Sequence, residues 1–107
     1  MMQCTSIYVG LNDGVTHEQK YGTERYLSLL RNVCRSYHAA FSVHEEHGGY
    51  FHEDGSYVEE NTLVLQLMDA PDQTVRDIAG DLCAFFRQES VLVTSAPAEV
   101  YFVKEEL

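Results

Sequence analysis

Residues 41–69 read FSVHEEHGGYFHEDGSYVEENTLVLQLMD, and this stretch decides the fold. Phe41-Ser42-Val43-His44-Glu45-Glu46 alternates with period two, placing Phe41, Val43 and Glu45 on one strand face and Ser42, His44 and Glu46 on the other. Gly48-Gly49 predicts a bulge or a break before Tyr50-Phe51-His52. Glu53-Asp54-Gly55-Ser56 is turn chemistry that sends the chain back into a second strand, Tyr57 to Met68. In that strand Leu63, Leu65 and Leu67 share one face, while Thr62, Val64, Gln66 and Met68 share the other. A strand carrying apolar residues on both faces belongs in the middle of a sheet, or is covered on both sides.

Upstream of the hairpin, Cys4 to Leu11 is β-branched and aromatic and stops at the turn cluster Asn12-Asp13-Gly14, so it reads as a strand. Tyr26, Leu27, Leu30, Val33, Cys34 and Tyr37 then recur at helical spacing opposite Glu24, Arg25, Ser28, Arg31, Asn32 and Arg35. Thr16 and Thr23 are alternative caps for this helix, and Gly22 weakens one running through from Thr16. Downstream, Asp69-Ala70-Pro71-Asp72 opens a second helix whose stripe is Val75, Ile78, Ala79, Leu82, Phe85 and Phe86, with Asp77, Asp81 and Arg87 outward. Ser90 to Thr94 and Val100 to Val103 read as two further strands joined by Ser95-Ala96-Pro97-Ala98. The order β-α-β-β-α-β, plus a C-terminal strand, predicts an α+β ferredoxin-like domain over residues 1–107, with both helices on one face of an antiparallel sheet. The opposite face, with Tyr8, Val64 and Met68, predicts a homo-oligomer assembled through that face or through sheet edges.

With 107 residues the chain is the size of one domain. Seven basic against seventeen acidic residues give a formal charge of −10, which opposes binding to nucleic acid or to an anionic membrane surface. Cys4, Cys34 and Cys83 are odd in number and each sits among apolar neighbours, the pattern of free thiols in a reducing compartment. Met1-Met2-Gln3-Cys4-Thr5 shows no basic segment leading into an apolar one, and no apolar run approaches membrane-spanning length; the expectation is a cytoplasmic protein.

Candidate site residues fall into three groups. His44, His47 and His52, among Glu45, Glu46, Glu53 and Asp54, are the weak candidates for a metal, but their spacing matches no zinc or iron pattern, and a solvated acidic hairpin is the simpler account; no cofactor is expected. Gln88-Glu89-Ser90 lies where the second helix hands over to a strand, positioned either to reach a groove or to bridge helix and strand. Arg25, Arg31 and Arg35 form the one basic cluster of an acidic chain, and with tyrosines such as Tyr8, Tyr50 and Tyr57 across a subunit boundary they predict a site for a small, planar, anionic ligand resembling a nucleotide. The competing account has these arginines neutralising carboxylates and the tyrosines edging a core.

Phe86-Arg87-Gln88-Glu89-Ser90-Val91-Leu92 resembles the bacterial and phage family known as domain of unknown function 3574. The opening Ser6-Ile7-Tyr8-Val9-Gly10-Leu11 is similar to that family's first strand. Gly49, Tyr50, Asp54-Gly55, Glu60 and Leu63-Val64-Leu65 resemble its glycine-punctuated hairpin. The resemblance implies a ferredoxin-like fold and, as the family has no established activity, no function. Three function classes stay open. A non-catalytic, oligomeric small-ligand binder of the sensor or phage-type sequestering kind ranks first. A small dimeric ferredoxin-like enzyme with His44 or Glu89 as acid or base is second. An acidic inhibitor of a basic partner is third.

Overall fold

The computed structural model describes residues 2–51 and 53–106. Its elements are β1 (Met2–Gly10), α1 (Thr23–Ser36), β2 (Ser42–Phe51), β3 (Tyr57–Met68), α2 (Asp72–Phe85) and β4 (Leu92–Ala98). The four strands form one antiparallel sheet in the order β2-β3-β1-β4. Both β-α-β crossovers thus skip one strand, and β3, the doubly apolar strand, lies inside the sheet between β2 and β1.

Pleating sorts the side chains. Ile7 and Val9 of β1 and Leu63, Leu65 and Leu67 of β3 point to the helical face, where they are buried with Tyr26, Leu30, Val33 and Cys34 of α1 and Val75, Ile78, Ala79 and Leu82 of α2. Burial of these aliphatic side chains is the main force holding helices to sheet. A hydrogen bond between the end of α1 and α2 supplements it: the hydroxyl of Tyr37, the residue that ends α1, donates to Asp81 Oδ2 at 2.7 Å. On the other face Val64 is also buried, flanked by its cross-strand neighbours Tyr8 and His44, whereas Met68 is half exposed.

Four local expectations are corrected. The β2–β3 register runs unbroken from Ser42↔Gln66 to Phe51↔Tyr57, so Gly48-Gly49 makes neither a bulge nor a break. Gly49 instead leaves room for the Tyr57 ring, which sits where a Cβ would stand. Neither Thr16 nor Thr23 caps α1, which starts at Thr23 with Gly22 in the cap position. Phe85 is exposed, whereas Phe86 just beyond α2 is buried and meets the Tyr26 ring edge-on at 5.1 Å.

Finally, Ser95 to Ala98 is not a turn but the second half of β4, and Val100 to Val103 forms no strand. Pro97 is tolerated because β4 is an edge strand, and Ala98 already pairs with Met2 at the start of β1. Residues 100–103 lie beyond this last described pair of β1 and β4.

No disulfide links Cys4, Cys34 and Cys83, and burial pushes the Cys34 thiol up to about 11. No described helix is long and apolar enough to cross a membrane.

Candidate functional site

A cleft of about 610 Å³ opens on the sheet face away from the helices, at the end where β1 finishes and β4 begins. Its floor is made of alternate strand residues: Tyr8 and Gly10 from β1, Val58, Glu60 and Thr62 from β3, and Leu92 from β4. These positions interleave with the core residues of the same strands, so the pleat that buries Ile7, Val9 and Leu63 also presents this set to solvent. Tyr50 of β2, paired with Val58, forms one wall. The loop after β1 and the loop before β4 form the other, through Asn12, Asp13, Gly14 and His17 on one side and Gln88, Glu89 and Ser90 on the other.

These two loops are fastened together. Asp13 is 3% exposed, and its Oδ1 accepts hydrogen bonds from the Val15 and Thr16 amides at 2.8 and 3.1 Å. Its Oδ2 accepts from Arg87 Nε at 2.6 Å and lies 3.3 Å from Lys20 Nζ. The two backbone amides foremost, with the Arg87 and Lys20 side chains, hold the Asp13 carboxyl far below the usual carboxylate range despite its burial. The Gly14 amide donates to the Arg87 carbonyl at 2.7 Å, and Gln88 Nε2 donates to the Asn12 carbonyl at 2.6 Å. A Cβ on Gly14 would meet the Arg87 carbonyl oxygen at 2.8 Å, so this close approach requires glycine. Arg87 itself has φ 54° and His17 φ 60°, left-handed conformations that the surrounding bonds hold in place at the cleft's rim.

Glu60 is half buried and lies against the β1 backbone. Its Oε2 accepts from the Asn12 amide at 3.2 Å, and a Cβ on Gly10 would meet the carboxylate at 2.6 Å. Gly10→Ala is therefore expected to swing Glu60 aside at little cost in stability, because the clash is with the end of a flexible side chain. The melting temperature should stay within a few degrees of the wild type, as scanning calorimetry of the two proteins would show. Partial burial, and then the charges of Glu60 and Glu89, push the Tyr50 phenol above its ordinary value, keeping it a hydrogen-bond donor throughout the physiological range. The lining holds three carboxylates and, among the described residues, no lysine or arginine. Asp13 is matched by Arg87 and Lys20, but Glu60 and Glu89 are in no ion pair among the described residues. The cleft is aromatic and negative, suited to a ligand with a planar group and a positive charge.

Of the residues singled out in the sequence, Tyr8, Tyr50, Gln88, Glu89 and Ser90 come together here. Gln88 has both roles considered for it, since it lines the cleft while its amide ties the loops. Tyr57 lies elsewhere, near the hairpin tip, with its ring 5.1 Å from that of Phe51 and its hydroxyl donating to Glu59. Arg25, Arg31 and Arg35 project from α1 into solvent, away from the cleft, and the Arg25 guanidinium rests 4.1 Å above the Tyr21 ring. His44 bonds to Glu46, and His47 to Asn61 and Glu59; these bonds, with Asn61 foremost, raise the His47 pKa. His52 lies outside the described residues, and among the described ones no three histidine, cysteine or carboxylate groups converge as for a metal. The sequence reading missed Asp13 and Arg87 as a pair 74 positions apart, and gave Glu60 no role; proximity of this kind leaves no local signal.

No family profile matches the chain, and neither does any curated protein. Among solved structures it is similar to a phage SAM lyase in complex with S-methyl-5′-thioadenosine, at TM-score 0.70 and 21% identity, over 89% of this chain and 80% of the other. A phage SAM lyase in its apo state gives 0.67 and 22%, over 94% and 92%. The periplasmic divalent cation tolerance protein CutA from Archaeoglobus fulgidus gives 0.61 and 9%, over 92% and 87%. The fold is ferredoxin-like. At these identities the likeness speaks to the fold alone.

Proposed function

We propose that the cleft binds S-adenosylmethionine, or a closely related adenosyl sulfonium, and that the protein cleaves it as a lyase, releasing S-methyl-5′-thioadenosine. The observation that carries this reading is the cleft itself: Glu60 and Glu89 beside the Tyr50 and Tyr8 rings, with no lysine or arginine in the described lining. A sulfonium ligand offers a positive charge, an amino group and ribose hydroxyls for two carboxylates, and an adenine for the tyrosine rings. A nucleotide phosphate would face the Glu60 and Glu89 carboxylates there, so we assign this cleft a cationic ligand; an anion held by Arg25, Arg31 and Arg35 would lie at another place, on α1. Similarity in fold to the phage SAM lyases supports the choice of substrate.

The chemistry makes modest demands on the protein. A sulfonium is already a good leaving group: the carbon–sulfur bond breaks with its electron pair going to sulfur, which leaves as a neutral thioether. The departing carbon is satisfied from within the substrate: its own carboxylate oxygen forms the new carbon–oxygen bond and closes a lactone. No protein nucleophile is required, and the described lining of the cleft contains no cysteine. Orientation and partial removal from water are what the site supplies. Incubation with S-adenosylmethionine, followed by mass spectrometry of the products, should reveal S-methyl-5′-thioadenosine. The absence of both turnover and calorimetric binding at millimolar ligand would refute the proposal.

We also read the protein as a homo-oligomer, because Met68 and Leu92 on the open sheet face are 48% and 61% exposed and both outer strand edges are unpaired.

A further inference from the structure

We propose that the segment Val100–Lys104 of one copy docks on the hairpin end of β2 and β3 in a second copy, building the contact between subunits. The inference rests on the homo-oligomer reading above and names the surface that reading leaves open.

Two apolar clusters on this molecule are unsatisfied. Tyr101, Phe102 and Val103 are 76%, 81% and 88% exposed and belong to no strand, although their composition is that of one. At the far end of the molecule Phe51 and Tyr57, whose rings meet at a tilt of 48°, are 72% and 56% exposed. Beside them runs the outer edge of β2, a ten-residue strand paired only with β3. An unpaired strand edge next to exposed rings is what a β-branched, aromatic segment of another chain recognises: the ladder supplies main-chain hydrogen bonds, the rings supply apolar contact.

Reach excludes the same copy as occupant. Cys4 pairs with both Met68 and Ala96, so Ala98 lies level with the chain just beyond Met68. From Met68 back to Tyr57 the strand covers 11 steps, about 37 Å at the usual rise. Four residues beyond Ala98 bring Phe102 at most about 14 Å. A chain cannot lay its own Phe102 on its own Phe51.

Size points the same way. Two aromatic side chains from the segment bury about 150–250 Å² each. Scaled by how far each side chain is exposed, these two with Val103, Phe51 and Tyr57 contribute about 700 Å², and the main-chain ladder along β2 brings the contact toward the scale of about 1,000 Å² at which specific association begins. The segment and its receptor are different surfaces, so the contact is head-to-tail and repeats at every subunit of a closed ring.

Sedimentation velocity at tens of micromolar decides it, run on the wild type, on the double variant Tyr101→Asp/Phe102→Asp, and on Phe51→Asp. These side chains are exposed within one chain, so the variants should fold, as circular dichroism will show. The wild type should sediment as an oligomer, and each variant should dissociate with a constant at least tenfold higher, sedimenting mainly as monomer. Variants that assemble like the wild type would overturn this contact and leave the homo-oligomer reading standing. A monomeric wild type would overturn both.

Discussion

Glu60→Gln should weaken S-adenosylmethionine binding about 100-fold and shift the melting temperature by no more than a few degrees. The two halves of this expectation come from different properties of one side chain. Glutamine keeps an oxygen to accept the Asn12 amide hydrogen bond, now 3.2 Å from the carboxylate, and it fits the space that Gly10 leaves. The loop and the strand therefore stay in place. What disappears is the negative charge in a half-buried position beside Tyr50. A hydrogen bond to a charged group contributes about 1.5–3 kcal/mol, and the upper part of that range corresponds to about 100-fold in affinity. Glu89 is the more exposed of the two carboxylates, so Glu89→Gln should cost less, by the screening that exposure brings. Calorimetric titration of the three proteins checks the order. Equal binding by wild type and Glu60→Gln would remove Glu60 from the site.

The second large effect is on stability. Asp13→Ala should lower the melting temperature by about 10 °C, because one buried carboxylate accepts from two backbone amides and Arg87 and also faces Lys20. Removing it leaves the Val15 and Thr16 amides without their acceptor and Arg87 without its counter-charge. Asp13→Asn should recover part of the loss, since Oδ1 can still serve both amides. The pH dependence follows from the sign of the shift. The Asp13 carboxyl in the folded protein lies below its unfolded value of about 3.9, so its contribution is complete above that value and fades as pH falls toward the folded one. Wild type and Asp13→Ala should thus differ most at neutral pH and converge in strong acid. Thermal scans between pH 7 and pH 2 would show it, and a constant gap would mean that the carboxylate's charge is not what stabilises the loops. Because Arg87 leads directly into Gln88 and Glu89, the same substitution should loosen the cleft wall and reduce ligand affinity.

How much of this was legible beforehand depends on the range of the interaction concerned. The period-two pattern of Phe41 to Met68, the helical stripes around Leu30 and Ile78, and the Asp54-Gly55 turn are local, and they determined the element order, the α+β class and the buried face. Gln88, Glu89 and Ser90, singled out at the hand-over from the second helix to a strand, do border the cleft. The Gly48-Gly49 bulge failed because a glycine pair permits several conformations, and only the Tyr57 ring across the hairpin selects the regular one. The strand expected at Val100 to Val103 failed because strand propensity does not say whether a neighbour is available. The site was the least legible part. Three arginines on one helix and three tyrosines looked like a ligand set by composition, yet the topology sends α1 to one side of the sheet and the cleft to the other. Glu60, Glu89 and Tyr50 meet because β2-β3-β1-β4 order brings the hairpin, the end of β1 and the start of β4 to one place. The sequence by itself determined which residues are buried against which face, since pleat and helical period are properties of neighbouring residues. Only the tertiary structure decided the sign of charge in the cleft, since that depends on which distant side chains the strand order sets side by side.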